Sequence, residues 1–341
     1  MNLAVGQQYG AGHGIAHPVG LPSRKQDESP SNVPADIEVA VLIPCYNEAT
    51  TVASVISEFR QALPQARIYV YDNNSVDETA TIAASAGAIV RTERRQGKGN
   101  VVRRMFSDID ADVYLIVDGD ATYDATAAPA MVREILSGPY DKVNGARVHT
   151  SEQAYRPGHV LGNRMLTSLV STFFGDQSRD MLSGYKALSR RFVKTFPAVS
   201  GGFEIETELL IHALELGVPM SEIETQYKER PAGSVSKLAT YKDGLRILWL
   251  IFHLIRDLLP LQFFLSVAAV LALIAIGFGT PVFLQYLSTG LVPRFPTLIA
   301  ASAVMILAFL SVFAGLVLDS VARGRKEAKL LAYLAYRPVQ R

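Results

Sequence analysis

Apolar runs alternate with amphipathic stretches over the first half of the chain. The apolar runs predict strands at Ile37–Cys45, Arg67–Tyr71, Ala88–Val90 and Val113–Val117, and Lys142–Ala146 is a candidate fifth strand. The stretches between them predict helices at Thr51–Leu63, Glu78–Ala86, Asn100–Ile109 and Ala127–Leu136. Short apolar strands that alternate with helices are typical of an α/β domain with a mostly parallel sheet. In such sheets ligands bind beyond the carboxyl ends of the strands.

This alternation weakens after about residue 150. Here the spacing predicts helices at Val160–Phe174, Ala187–Phe196 and Glu204–Leu216, then a strand and a loop at Gln226–Lys237. Residues 238–258 have apolar positions at spacings of three and four, with Trp249 and several basic residues among them. This pattern is typical of an amphipathic helix in a membrane interface. A surface helix of the soluble domain is the alternative.

Two long apolar stretches follow, at about Leu261–Leu284 and Thr297–Leu318. No charged residue lies between Asp257 and Arg294, or between Arg294 and Asp319. Each stretch exceeds the roughly 20 residues that cross the hydrocarbon core of a bilayer. The pattern predicts a transmembrane hairpin, and a helical hairpin buried in a soluble core is the alternative. Because neither stretch holds an ionisable residue, a transport pathway through them is not expected.

Basic residues flank the predicted hairpin on both sides. They are Lys237, Lys242, Arg246 and Arg256 before it, and Arg323, Arg325, Lys326 and Lys329 after it. Short loops and flanks rich in Lys and Arg stay on the cytoplasmic side. We therefore expect both flanks in the cytoplasm and the short connection outside.

The first 36 residues lack an apolar run and are rich in Gly, His, Pro, Ser and Gln. Such a segment buries too little surface to offset chain entropy, so a disordered tail is expected. A secretory signal needs an apolar stretch of roughly 7–15 residues, so the soluble part is expected to be cytoplasmic. The predicted organisation is a tail (1–36), an α/β domain (37–237), an amphipathic helix (238–258), a membrane hairpin (259–320) and a basic cytoplasmic tail (321–341).

Composition narrows the classes of partner and site. The 341 residues include 33 Lys and Arg against 32 Asp and Glu, a net charge of +1. This balance removes the global electrostatic argument for a nucleic-acid partner. Cys45 is the only cysteine, which excludes a disulfide framework within the chain and any site with several cysteine ligands.

Candidate chemistry lies where predicted strands end. Asp118-Gly119-Asp120 follows an apolar strand, and two such carboxylates can share a hard divalent cation with substrate phosphates. Three further polar motifs follow a strand or begin a helix: Pro44-Cys45-Tyr46-Asn47-Glu48, Asp72-Asn73-Asn74-Ser75 and Gly97-Lys98-Gly99-Asn100. Each motif alone is explained by a turn or a cap. Their order along one sheet favours a site for a phosphate-bearing ligand.

Together these motifs resemble the family-2 inverting glycosyltransferases of the GT-A fold, most closely the dolichol- and polyprenyl-phosphate sugar synthases. The resemblance runs from about Val41 to Leu238, and the two apolar stretches match the membrane-bound bacterial branch. It implies a Rossmann-like, mostly parallel sheet, a Mg²⁺ or Mn²⁺ ion, and a bacterial inner membrane location. Homotetramers occur in this branch.

The resemblance implies a role for each motif residue. Nucleotide-sugar binding is implied for Pro44, Tyr46, Asn47, Glu48, Asp72, Asn74, Lys98, Asp118 and Gly119. Asp118 and Asp120 match the metal-binding triplet of the family. The family often has Asp-Asp-x-Ser where this chain has Asp-Asn-Asn-Ser, so one carboxylate is missing and the identity of the base is open.

Further residues are implied at the acceptor. Asp180 begins a segment like the family's Asp-x-x-Ser/Thr-Gly-Phe-Arg, which implies a catalytic base or acceptor-orienting group. The resemblance implies that Asp120 is the second catalytic residue. A helix or turn cap is the alternative for Asp180. Lys186 replaces the arginine, which keeps the charge and loses two-pronged geometry toward phosphate. Arg230 and Lys237 are implied to meet a lipid phosphate, with attraction to lipid headgroups as the alternative.

Glu204 and Glu206 also match a family segment. Residues two positions apart do not share one helix face, so we expect one of them to point into the site.

The implied reaction is inverting transfer of one hexose or uronic acid from a nucleotide sugar, with UDP favoured, to polyprenyl phosphate. The product would be a sugar donor for envelope glycan or lipopolysaccharide modification. A processive polysaccharide synthase is an alternative, although its Gln-x-x-Arg-Trp motif is absent because Leu248 precedes Trp249. A non-catalytic sugar-nucleotide-binding partner of a lipid flippase is another, and the intact Asp118 and Asp120 pair argues against it.

Overall fold

The computed structural model describes residues 34, 36–149, 180, 183–202, 204–228, 249, 252, 256 and 259–339. Nearly all of the predicted tail, the helix predicted at Val160–Phe174 and most of the predicted amphipathic helix lie outside these residues. Three residues of that amphipathic helix are described as helical, and two of them, Trp249 and Phe252, are exposed and stacked on each other.

Among the described residues, seven strands form one sheet. They are β1 (Val39–Cys45), β2 (Arg67–Asp72), β3 (Ile89–Thr92), β4 (Val113–Ile116), β5 (Lys142–His149), β6 (Lys186–Ser189) and β7 (Met220–Tyr227). Their order across the sheet is β3-β2-β1-β4-β6-β5-β7. Strand β6 runs antiparallel to both β4 and β5, and the other neighbouring strands pair in parallel. The mostly parallel sheet predicted from the sequence is confirmed.

Helices connect and cover the strands. In the described part of the chain they are α1 (Val52–Ala62), α2 (Thr79–Ser85), α3 (Lys98–Asp108), α4 (Ala128–Ser137), α5 (Arg190–Thr195), α6 (Ile205–Leu216), α7 (Pro260–Thr289) and α8 (Phe295–Leu334). Helices α1 to α4 and α6 lie within about two residues of their predicted bounds, which is the usual uncertainty of helix ends.

Both faces of the sheet are buried. On one face, Val41 and Ile43 of β1 pack with residues of α1, α2 and α4. On the other face, Leu42 of β1 and Tyr114 of β4 pack with residues of α3, α5 and α6. Burial of one large apolar side chain contributes about 1.5–3 kcal/mol, so β1 and β4 are held firmly from both sides. The motifs Tyr46-Asn47-Glu48 and Asp118-Gly119-Asp120 therefore follow strands that are packed on both faces.

The helix predicted at Ala187–Phe196 is wrong at its start. Residues 187–189 belong to β6, which pairs with β4 on one side and β5 on the other. Strand pairing on both edges overrides the helix preference of Ala and Leu. Ser189 then caps α5, because its hydroxyl accepts a hydrogen bond from the Phe192 amide. Strand β7 likewise starts before the predicted Gln226.

Helices α7 and α8 are long and apolar enough to cross a membrane, with mean hydropathies of 2.4 and 2.5 over their most apolar windows. They pack antiparallel, because Gly279 lies near Ala301 while Gly315 lies against Phe264. A Cβ atom at Gly315 would lie 2.9 Å from the Phe264 Cβ atom, so this approach requires glycine. Most of their large apolar side chains are exposed, which argues against a hairpin buried in a soluble core.

The end of α8 packs on the α/β domain. The Tyr333 hydroxyl donates a hydrogen bond to the buried Asp141 carboxylate, which also accepts two hydrogen bonds of 2.6 Å from Arg191. The Arg191 guanidinium lies 4.6 Å from the centre of the Tyr333 ring. Lys329 forms an ion pair of 2.7 Å with Glu215 of α6. Part of the segment predicted as a tail at residues 321–341 is therefore a helix fixed to the domain.

Candidate functional site

The motifs that follow β1 and β2 form one cross-linked structure. The Asn47 amide donates a hydrogen bond of 2.9 Å to the Ser75 hydroxyl, and the Asn47 side-chain carbonyl accepts one of 2.8 Å from the Val76 amide. The Glu48 amide donates to the Thr79 hydroxyl at 2.8 Å. Asn47 has a φ of 53°, a left-handed conformation that asparagine adopts more readily than most residues. The two turns therefore hold each other in place.

Asp72 offers an unpaired acceptor at this edge of the sheet. Its Oδ2 accepts a hydrogen bond of 3.2 Å from the Ser75 amide, whereas its Oδ1 is buried without a hydrogen-bond partner among the described residues. A buried acceptor without a partner is costly, so Oδ1 fits a donor supplied by a ligand. The side chains of Asn73 and Asn74 instead donate to carbonyl oxygens of the loop before α3, at 2.8–2.9 Å. Asn74 is thus used to hold that loop.

The ends of β1 and β4 are linked through Thr51. Its hydroxyl donates a hydrogen bond of 2.7 Å to the Gly119 carbonyl and lies 3.3 Å from the buried Glu48 carboxylate. A Cβ atom at position 119 would lie 2.7 Å from the Cys45 sulfur, so the close approach of the two strand ends requires glycine. The predicted nucleotide-sugar residues brought together along these strand ends are Pro44, Tyr46, Asn47, Glu48, Asp72, Asp118 and Gly119.

Asp118 and Asp120 lie just beyond the end of β4. Asp120 is buried, and its Oδ1 accepts a hydrogen bond of 2.6 Å from the Thr122 hydroxyl. Gly184 lies so close that a Cβ atom there would overlap the Asp118 carboxylate. The described residues contain no group of three or more His, Cys, Asp or Glu suited to hold a metal ion. Two carboxylates nevertheless fit Mg²⁺, which takes its remaining ligands from substrate phosphates and water.

The start of α3 holds a lysine against these carboxylates. Lys98 Nζ lies 2.6 Å from Asp118 Oδ1 and 2.7 Å from Glu206 Oε1, and Lys186 pairs with the other oxygen of Glu206. The side chains of Lys98, Glu206 and Lys186 are only 8%, 7% and 1% exposed. One of the two glutamates considered from the sequence, Glu206, thus reaches the site.

The charges of this cluster stabilise one another. Burial opposes the charge on Lys98, but Asp118 and Glu206 outweigh it and raise the pKa of the ammonium. Burial favours the neutral form of Glu206, but Lys186 and Lys98 outweigh it and lower the pKa of the carboxylate to about 2. Burial lowers the pKa of Lys186, and the charge of Lys98 lowers it further against the effect of Glu206. Lys98 and Glu206 are therefore both charged at neutral pH.

The backbone amides at the start of α3 have other partners. The Gly99 amide donates to the Gly202 carbonyl at 3.1 Å, and the Asn100 amide donates to the Gly97 carbonyl at 3.0 Å. Gly97 has a φ of 126°, which only glycine adopts readily. Neither of these two amides is therefore free to bind a phosphate.

Asp180 forms a two-pronged ion pair with Arg147, a residue that the sequence motifs did not single out. Arg147 Nε and Nη2 donate to the carboxylate at 2.6 and 2.7 Å, and the Arg147 amide donates at 3.2 Å. The Asn144 side chain donates to the Asp180 carbonyl at 2.8 Å. Burial opposes the charge on Arg147, but Asp180 outweighs it and raises the pKa of the guanidinium. The only signal in the sequence is a charged residue directly after the predicted strand Lys142–Ala146.

The residues predicted at the acceptor phosphate are not all near an open surface. Lys186 lies in β6, where its ammonium donates to the Ser183 carbonyl and to Glu206. Contact with a phosphate would require this buried pair to open, so the arrangement does not support the role predicted for Lys186. Arg230 and Lys237 lie outside the described residues.

Comparison with known families gives one match to the domain. The profile described as Glycosyl transferase family 2 matches residues 40–196. This range contains β1 except for its first residue, all of β2 to β6, and Asp72, Asp118, Asp120 and Asp180.

Two curated sequences are similar to the chain over different lengths. The glycosyltransferase AglJ of Haloferax volcanii is 35% identical over 260 residues, which are 74% of this chain and 83% of that protein. Protein RfbJ of Shigella flexneri is 54% identical over 122 residues, which are 36% of this chain and 95% of that protein.

Solved structures resemble the α/β domain. Glucosyl-3-phosphoglycerate synthase of Mycobacterium tuberculosis matches with a TM-score of 0.53 and 22% identity, over 64% of this chain and 81% of that one. The same enzyme in complex with Mn²⁺ and UDP-glucose matches with a TM-score of 0.53 and 21% identity, over 64% and 79%. At this identity the likeness shows the fold alone, and the predicted GT-A fold is confirmed.

Proposed function

The chain belongs to glycosyl transferase family 2, and from this premise we propose that it moves a single hexose or uronic acid from a nucleotide sugar to a polyprenyl phosphate. A phosphate oxygen of the acceptor forms a bond to the anomeric carbon as the bond to the departing nucleoside diphosphate breaks. Attack from the side opposite the leaving group inverts the anomeric configuration. The lipid-linked sugar then serves as a donor for envelope glycan or lipopolysaccharide modification.

The donor half of the proposal rests on the strand ends. The unpaired Oδ1 of Asp72 fits a ribose hydroxyl or a base N–H, which are the donors that a nucleoside supplies. Asp118 and Lys98 lie toward β4, where the diphosphate would follow the nucleoside along the edge of the sheet. The complex of glucosyl-3-phosphoglycerate synthase with UDP-glucose supports a UDP-sugar donor.

Asp118 and Asp120 are proposed to hold a divalent cation, Mg²⁺ or Mn²⁺. When bound there, the cation would neutralise the negative charge that grows on the departing diphosphate. Structures of glucosyl-3-phosphoglycerate synthase with Mn²⁺ and with Mg²⁺ support this assignment. Lys98, at the start of α3, adds a positive charge near this site.

The acceptor half rests on Arg147 and Asp180. A phosphate acceptor is already anionic at neutral pH, so it needs a cation more than it needs a strong general base. The Arg147 guanidinium has five N–H donors in a planar fork, and Asp180 takes up two nitrogen atoms of that fork. The remaining N–H groups fit a phosphate. In this proposal Asp180 orients Arg147 and the acceptor.

One observation carries the choice of a lipid acceptor: the packing of Tyr333 and Lys329 of α8 on the α/β domain. The same helix contains an apolar stretch of membrane length, so the domain is tied to the hairpin that would cross the bilayer. A polyprenyl chain stays in the bilayer and presents its phosphate at the surface. We infer a bacterial inner membrane location, with the catalytic domain and both termini in the cytoplasm.

The experiment compares Asp120→Asn with Asp124→Asn. Asp124 accepts a hydrogen bond from the Thr126 amide and caps the short helical turn Ala125–Ala127. Asp124→Asn therefore removes one negative charge, as Asp120→Asn does, at a position four residues away. Transfer of labelled sugar from a panel of nucleotide sugars to undecaprenyl phosphate is measured with Mg²⁺ or Mn²⁺ and with EDTA. We expect Asp120→Asn to lose at least about 100-fold in rate and Asp124→Asn to keep most of it. Undiminished transfer by Asp120→Asn would overturn the metal assignment.

A further inference from the structure

We propose that Glu206 is a positioning residue for the donor site: Lys98 bridges Asp118 and Glu206, and Glu206 retains Lys98 when a divalent cation binds Asp118. The inference rests on the metal assignment of the proposed function. It gives a role to Glu206, a buried carboxylate that the proposed reaction does not otherwise use.

The geometry allows the ammonium of Lys98 to change partners without moving far. Lys98 Nζ lies 2.6 Å from Asp118 Oδ1 and 2.7 Å from Glu206 Oε1, so it already bonds both carboxylates. Its side chain is nearly buried, and bulk water therefore cannot replace a lost partner. Release of Asp118 leaves Lys98 on Glu206 with its charge still compensated.

Charge explains why Lys98 has to release Asp118. An ammonium group and a divalent cation on one carboxylate repel each other. Glu206 supplies the second carboxylate that keeps Lys98 charged and within reach of the diphosphate. Lys98 then contributes positive charge to the leaving group from the side of α3.

Lys186 completes the arrangement from β6. It pairs with the second oxygen of Glu206 and also donates to the Ser183 carbonyl. The Glu206 carboxylate between two lysines stays ionised. Its ion pair with Lys186 holds it at β6 while Lys98 binds its other oxygen. The burial of Lys186, which does not suit direct contact with an acceptor, suits this supporting position.

Binding of Mn²⁺ alone, measured from the free-ion signal in electron paramagnetic resonance, tests the inference without an activity assay. The set is the full-length protein, Lys98→Met, Glu206→Gln and the double variant, with Glu204→Gln as a charge-matched control two residues away. We expect Lys98→Met to bind Mn²⁺ several-fold more tightly, because a competing cation is gone. Glu206→Gln should bind about 10-fold more weakly, because Lys98 keeps only Asp118.

The double variant decides the mechanism. If Glu206 acts through Lys98, the double variant binds Mn²⁺ as tightly as Lys98→Met does. An equal loss of Mn²⁺ affinity from Glu206→Gln with and without Lys98 would overturn the inference, because the negative charge of Glu206 would then act on the cation directly. Wild-type binding with unchanged affinity in Lys98→Met would also overturn it and leave the metal assignment intact. Absence of Mn²⁺ binding to the wild type would overturn both.

Glu206→Gln leaves two buried lysines with one neutral partner, so its folding is checked by thermal unfolding. Glu206→Asp provides a second variant that keeps the charge with a shorter side chain. We expect Glu206→Asp to recover part of the Mn²⁺ affinity lost in Glu206→Gln. No recovery in a folded Glu206→Asp protein would count against positioning by the carboxylate.

Discussion

Asp180→Asn should damage acceptor binding through Arg147. The carboxylate accepts hydrogen bonds of 2.6 and 2.7 Å from the Arg147 guanidinium, and the two side chains are 10% and 23% exposed. An amide keeps one acceptor and turns an NH₂ group toward the guanidinium, so one charge-assisted bond is lost and the other weakens. A hydrogen bond to a charged group contributes about 1.5–3 kcal/mol. We expect a loss of about 2–3 kcal/mol, or roughly 30- to 150-fold in kcat/KM for the acceptor.

The assay measures initial rates at saturating nucleotide sugar over a range of polyprenyl phosphate concentrations. The loss should lie mainly in the acceptor KM, and Arg147→Lys should show a similar loss because lysine lacks the two-pronged geometry. Asp110→Asn is the control, since Asp110 forms an exposed ion pair with Arg190 that contributes little. A fall in kcat with an unchanged acceptor KM would refute this reasoning and assign Asp180 as a general base.

Three further predictions concern the packing and charge of the site. Tyr333→Phe removes a hydrogen bond to the buried Asp141 carboxylate and should lower the free energy of unfolding by about 1.5–3 kcal/mol, measured by thermal unfolding in detergent; an unchanged midpoint would contradict the docking of α8. The pKa of Glu206 is lowered from 4.5 to about 2, so its contribution to stability is present above about pH 4.5 and is lost as the pH falls toward 2. The free energy of unfolding should therefore depend less on pH in this range for Glu206→Gln than for the wild type, as measured by circular dichroism during acid unfolding. An equal pH dependence of the two proteins would count against this contribution of Glu206. Gly184→Ala places a Cβ atom into the Asp118 carboxylate and should abolish Mn²⁺ binding and sugar transfer in a protein that still folds; retained binding would show that Asp118 is not a ligand.

The parts of the fold that the sequence predicts well depend on local patterns. The apolar run of β1 and the helical spacing of α1 need only neighbouring residues, and both lie within two residues of their predicted bounds. The acidic triplet at Asp118 is recognisable because it follows an apolar strand directly. Strand β6 is different, because only its pairing with β4 and β5 makes a strand of a segment with helical preference.

The contacts of the candidate site that the sequence does not predict join distant segments. Arg147 and Asp180 are 33 positions apart, and their pairing depends on where β5 ends. Lys98 and Glu206 begin two different helices that cover the same face of the sheet. Outside the site, the contact between Tyr333 and Asp141 joins residues 192 positions apart. Hydrophobic periodicity and motif spacing describe neighbouring residues, so they do not predict which distant residues pair. These pairings become visible only in the folded chain.

The central claim is the transfer of one sugar to a polyprenyl phosphate, and mass spectrometry of the lipid product tests it most directly. The full-length protein in detergent or vesicles is incubated with undecaprenyl phosphate, Mg²⁺ or Mn²⁺ and each nucleotide sugar of a panel. We predict a lipid phosphate that carries a single sugar residue for at least one donor, and no such product from Asp120→Asn. A polymer of many sugars would contradict the account in favour of a processive synthase, and binding of nucleotide sugar without any product would contradict it in favour of a non-catalytic partner.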